Sequence, residues 1–153
     1  MIFWTTLLII HALLAVTLLG IGGALVATYL GQFIGWYSAG ESAGLIGAVV
    51  GAIIVLYLLT FVLGAWIYTQ YRFTARLALE QLRFFKTVGA FEMKEHLATV
   101  GLILLPAYWA FWRQPLSADY AGARRQVTLV LAILVWANFL IGHVANNARG
   151  FGS

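Results

Sequence analysis

Long runs of apolar residues, broken by short clusters of charge, dominate the chain. Four stretches carry no charged side chain: Met1 to Gly40, Ser42 to Tyr71, Leu97 to Trp112 and Gln126 to Ala148. A helix needs about 20 apolar residues to cross the ~30 Å hydrocarbon core of a bilayer. The pattern therefore predicts four transmembrane helices, over about residues 2–30, 45–71, 93–112 and 127–144. The third is short and reaches a sufficient length only by starting near Met93, and Pro106 inside it predicts a kink. The fold class expected is all-α: a single domain over residues 1–153, an integral membrane four-helix bundle.

Between the second and third spans, residues 72–91 form the longest polar segment. Arg72, Arg76, Glu80 and Arg83 recur at helical spacing, with Leu77, Ala78, Leu82 and Phe85 on the other side. This predicts an amphipathic helix lying in the headgroup plane, a pattern that a solvated loop helix also fits.

Composition agrees. Of the 153 residues 63% are apolar and 9% charged, against roughly 45–50% apolar in soluble domains. Such a chain lacks the polar shell a soluble fold needs, whereas lipid accepts an apolar exterior. The absence of cysteine excludes disulfides, thiolate-held iron–sulfur clusters, covalently attached haem and catalytic thiols. The net charge of +4 is scattered between apolar spans and makes no nucleic-acid groove. It reads instead as topology: six basic residues (Arg72, Arg76, Arg83, Lys86, Lys94, Arg149) fall on the side of both termini, and Arg113, Arg124 and Arg125 on the other. The positive-inside rule then places both termini in the cytoplasm, across what is expected to be a bacterial cytoplasmic membrane. No charge precedes Glu41, so the first span lacks the basic start of a cleaved signal peptide. Gly44, Gly47, Ala48, Gly51 and Ala52 line one side of span two, a small-residue stripe suited to close helix packing or to a partner subunit. No phosphate-binding loop or nucleophile elbow is present.

The candidate chemistry lies in three histidines, one in each of three spans: His11, His96 and His143. Ionisable side chains at membrane depth are costly, which makes each a candidate functional group. His96 precedes Arg113 by 17 residues and His143 follows Arg125 by 18, so both lie ~26 Å from the same far face. His11 sits at a similar distance from Tyr29. Three imidazoles in one layer predict a ligand held between helices, with haem b first. Trp136 lies two turns from His143, and Asn146 and Asn147 follow it, placed to bond a propionate or a ring nitrogen. Thr99, Val100 and Ile103 share the face of His96 and supply a wall, and Lys94 and Arg149 are placed to pair with propionates.

Two other readings stay open. Glu92, Glu95 and His96 form an E-x-x-E-H cluster that, with His11 or His143, makes a nitrogen and oxygen site for copper, zinc or iron. The same carboxylates also suit the N-terminus of a helix. Glu95 beside His96 is placed for proton exchange with a quinone.

The run Leu8-Ile9-Ile10-His11-Ala12-Leu13-Leu14-Ala15, with Lys94 and His96 at the start of the third span, resembles the HemJ-type protoporphyrinogen oxidases and the CopD-like proteins. The resemblance implies haem b and porphyrinogen oxidation for the first family and copper handling for the second, with His11 and His96 as the positions carried over. In the HemJ pattern histidine precedes lysine; here Lys94 precedes His96. The function expected is a haem-b-binding membrane subunit that transfers electrons within, or anchors, a larger oxidoreductase. The alternatives are an accessory subunit of a photosynthetic or respiratory complex, binding a pigment or nothing, and a copper-handling membrane protein. The expected partners are the lipid bilayer and other membrane subunits.

Overall fold

The computed structural model describes residues 2–33, 43–114 and 118–150, and within them the side chains of 2–27, 46–114 and 119–145. All regular structure among them is helical. Four helices are long: α1 (Ile2–Phe33), α2 (Ala43–Phe73), α4 (Phe85–Trp112) and α5 (Ala121–Gly150). A short α3 (Ala75–Gln81) joins α2 to α4, and one 3-10 turn (Ala118–Tyr120) leads into α5. Helix α1 packs on α2 and α5, and α4 packs on α5 and α2, so the long helices close a circuit.

Three of them, over Ile2–Ala27, Ile46–Phe73 and Ala121–Ala145, are long and apolar enough to cross a membrane. Large apolar side chains cover their outer faces; Leu13, Val62, Ile133 and Val144 are each more than 60% exposed. So much exposed hydrocarbon suits lipid, not water. Helix α4 differs. Charge runs through its first half as far as Glu95, and the apolar stretch from Leu97 to Trp112 rises only ~24 Å of the ~30 Å required. The expectation of four spans is thus supported for three. Helix α4 continues unbroken past Pro106, whose ring lies on the exposed side.

The buried core occupies the half of the circuit remote from the termini. Val50 and Ile53 of α2 and Leu105 and Tyr108 of α4, each pair at helical spacing, interlock there with Leu18 of α1 and Leu131 of α5. At its outer edge Trp112 Nε1 donates to Thr128 Oγ1 at 3.2 Å, and Arg124, only 2% exposed, lies against the Trp112 ring.

The polar segment 72–91 is not one helix. It comprises the last turn of α2, the seven residues of α3 and the first turns of α4. Arg83, in the left-handed region at φ 60°, ends α3: its N–H bonds the Glu80 carbonyl and the Phe84 N–H bonds the Leu79 carbonyl. That is a Schellman closure with arginine where glycine is usual, and helical periodicity alone gives no sign of it. Inward burial falls on Ala75, Leu79 and Val88, packed with Tyr71, while Leu77, Leu82 and Phe85 stay exposed. Arg76 fastens the corner, donating to Glu80 at 2.8 Å and pairing with Glu92 of α4 at 2.9 Å. The Glu80 bond, and after it the nearby Glu92 charge, raise the pKa of this guanidinium above its ordinary value.

Candidate functional site: a cavity among the long helices

Towards the termini the long helices separate, and a cavity of about 500 Å³ opens between α1, α2, α4 and α5. That volume lies within the range of small-molecule sites. The walls are mostly aliphatic and aromatic, with Leu8, Ala15, Phe61, Tyr71, Phe91 and Phe139 among them. Tyr57 forms part of the wall and also belongs to the core, and its hydroxyl donates to the Ala98 carbonyl at 2.8 Å. The ring lies so close to α4 that a Cβ on Gly101 would fall 2.7 Å from Tyr57 Cζ. Glycine is required there for the helices to meet.

Besides two tyrosines, seven polar side chains line this apolar volume: Thr5 and His11 from α1, Thr60 from α2, Lys94 and Glu95 from α4, and Asn138 and His143 from α5. The His11 ring lies against α2 at Gly64, where a Cβ would stand 3.1 Å from His11 Cε1. The ring lies beside the Thr60 backbone, and its Nδ1 is sealed from solvent. Asn138 donates its amide to the Leu134 carbonyl at 2.7 Å, leaving a buried Oδ1 with no donor. Lys94 closes the terminal end. Its stem crosses α5 at Gly142, its ammonium lies 5.0 Å from the centre of the Phe91 ring, and Glu95 is 3.4 Å away. Phe91 in turn stacks on Tyr71, with ring centres 3.9 Å apart.

The three histidines do not share this site. His11 and His143 both line the cavity, and His143, at the exposed edge of α5, stacks on Phe139. His96 is exposed on the outer side of α4, and its Nδ1 is tied to the Glu92 carbonyl at 2.8 Å. Thr99, Val100 and Ile103 do share its face, as spacing predicts, but the face is turned outward. Depth is readable from rise per residue; facing is not, because α4 is apolar all round beyond Leu97. The metal reading gains no support from this arrangement. Glu92 is held by Arg76, Glu95 turns to the cavity beside Lys94, and His96 points away. Among the described residues no three groups of His, Asp or Glu come together to hold an ion. Trp136 is 49% exposed and meets Phe139 edge-on outside the cavity wall. The side chains of Asn146, Asn147 and Arg149 lie outside the described residues. Sequence reasoning missed Asn138 and Tyr57, although a mid-span asparagine carries the same signal of cost at membrane depth as the histidines.

The fold and its apolar exterior define an all-helical integral membrane protein with an internal cavity. Residues 17–64 are similar to a family described as transglycosylase associated protein, a small membrane family. The matched segment takes in the second half of α1 and most of α2. No curated protein sequence and no solved structure matches the chain. The resemblance to HemJ-type and CopD-like proteins is thereby corrected: the family found is a different one, and it is not a haem-protein family. His11 lies before the matched segment and Lys94 and His96 after it, so none of the residues that carried the resemblance takes part. What they share with those families is a histidine in an aliphatic run, which apolar spans readily supply.

Proposed function

We propose that this chain is a four-span membrane protein that holds a small, largely apolar molecule in the cavity among α1, α2, α4 and α5. The carrying observation is the cavity itself, about 500 Å³ with mostly aliphatic and aromatic walls and a few polar side chains, His11, Lys94, Glu95, Asn138 and His143 among them. Helix α4 crosses the membrane with the others; Lys94, Glu95 and the α3 corner sit at one membrane face, and the excess of basic residues makes that face cytoplasmic. Helix α3, with Leu77, Leu82 and Phe85 exposed beside its ion pairs, rests in the headgroup layer.

Of the cavity's walls, Leu18, Tyr57, Thr60, Phe61 and Gly64 lie within residues 17–64, while the polar groups His11, Lys94, Glu95, Asn138 and His143 fall outside them. Haem b is a narrower form of the same reading, favoured by two imidazoles, His11 and His143, on one cavity. The family description raises a second reading, association with a transglycosylase through the matched pair α1 and α2.

Organic extraction and mass spectrometry of protein purified in mild detergent tests the proposal. A stoichiometric non-phospholipid molecule is expected, lost when the cavity is filled by Ala12→Trp, and a Soret band would identify it as haem. A wild-type chain that carries nothing but bulk lipid at any stage of purification contradicts the reading.

A further inference from the structure

The α3 corner carries more positive charge than it uses to hold itself together. Arg76 is committed to Glu80 at 2.8 Å and to Glu92 at 2.9 Å. Arg72, Arg83 and Lys86 are exposed, and among the described residues none of the three pairs with a carboxylate. Large apolar side chains lie between these cations. From Leu82 to Lys86 the chain is exposed at five consecutive residues, with Phe84 (47%) and Phe85 (63%) between Arg83 and Lys86. Arg83, in its left-handed conformation, sits at the apex, where α3 ends and α4 begins. Phe73, 73% exposed, follows Arg72 where the apolar span of α2 ends. Packing within the chain uses none of these rings, because the buried side of the corner is Ala75, Leu79 and Val88 against Tyr71.

Unpaired cations interleaved with exposed rings, at the end of a membrane span, match one partner chemistry. A phospholipid of net negative charge offers phosphate oxygens to the cations and its glycerol and upper acyl chains to the rings, in the same layer. A soluble acidic partner answers the cations alone. A zwitterionic lipid brings an ammonium beside each phosphate and gains less from three unpaired cations. Resting on the placement of this corner in the headgroup layer given above, we infer that the α3 corner is a binding site for anionic phospholipid, with Arg72, Arg83 and Lys86 on the headgroup and Phe73, Phe84 and Phe85 in the layer beneath it. Arg76 takes no part: its two ion pairs keep the shape of the corner.

The test uses the full chain in detergent micelles with equimolar phosphatidylglycerol and phosphatidylcholine of the same acyl chains, read by native mass spectrometry. Phosphatidylglycerol is expected to be retained about tenfold over phosphatidylcholine, and less so as ammonium acetate is raised. With Arg72→Gln, Arg83→Gln and Lys86→Gln combined, the preference falls to within about twofold. Arg113→Gln, at the opposite face, leaves it unchanged. If the triple variant is not monodisperse, Arg83→Gln with Lys86→Gln takes its place, and the preference should fall about threefold. The chain has no cysteine, so a nitroxide on Phe85→Cys reports the depth of the corner in nanodiscs without other labelled sites. Oxygen and a water-soluble nickel chelate should relax it as they do a label at headgroup depth. Equal retention of the two lipids, or a preference that survives loss of the cations, overturns the inference; with the label at headgroup depth, the placement of the corner stands and its cations fall to a soluble acidic partner. A label in bulk water overturns the placement and the inference together. Molecules held in the cavity are read separately, by extraction.

Discussion

Replacing Gly101 by alanine tests the contact on which the cavity rests. In an ordinary exposed helical position Gly→Ala stabilises by about 1 kcal/mol through backbone entropy. At Gly101 the new Cβ would stand 2.7 Å from Tyr57 Cζ and 3.2 Å from Cε2, with the hydroxyl closer still. Tyr57 is 6% exposed and bonded to the Ala98 carbonyl, so it cannot swing aside without leaving the core. Overpacking of this kind costs roughly 1–3 kcal/mol. Loss of the hydroxyl bond adds about 1 kcal/mol, and subtracting the propensity gain leaves a net destabilisation of about 1–3 kcal/mol. Thermal or SDS-titrated unfolding of detergent-solubilised protein, followed by tryptophan fluorescence, reads this directly. Gly20, where an added Cβ would meet nothing within 4 Å, is the control, and Gly20→Ala should be neutral or stabilising. A double-mutant cycle with Tyr57→Ala should recover most of the alanine penalty at Gly101, because the vacated space accepts the methyl group. A Gly101→Ala variant as stable as the Gly20 control, or strictly additive single changes, would refute the reasoning.

Three further outcomes follow from other contacts. Arg83→Gly should stabilise the α3 corner by about 1 kcal/mol, since it relieves a left-handed residue without a lost side-chain contact, and unfolding midpoints measure it. Glu92→Gln removes the tie from α4 to Arg76, and limited proteolysis should then cut more readily at α3, an effect that high salt mimics in wild type. Gly142→Leu drives a side chain into the stem of Lys94, 3.2 Å from where its Cβ would lie, and should displace the ammonium from Phe91 and reduce retention of the bound molecule in mass spectra.

Helix existence was legible in the sequence because a charge-free run of membrane length has no polar face to turn towards water. The limits were set by orientation. His96 and His11 fall at similar depth by residue counting, yet α4 turns one outward and α1 turns the other inward. Rotation about a helix axis shows in a pattern only when one face is polar, and span faces meeting lipid and core are both apolar. Tyr57 gained its significance from a partner 41 residues away, the Ala98 carbonyl, and Asn138 from a cavity shared with helices the pattern could not pair. The corner at Arg83 was hidden for a different reason: arginine stands where the left-handed turn ordinarily announces itself by glycine.

The most direct measurement is nuclear magnetic resonance of the three imidazole rings, isotope-labelled, in nanodiscs doped with a lipid spin-labelled near the headgroup end of its acyl chain. With His11 enclosed among the helices and His96 on the outer face of α4, the His96 signals should broaden away while those of His11 persist. Broadening of His11 as severe as that of His96 would place it in lipid and contradict an enclosed ligand site.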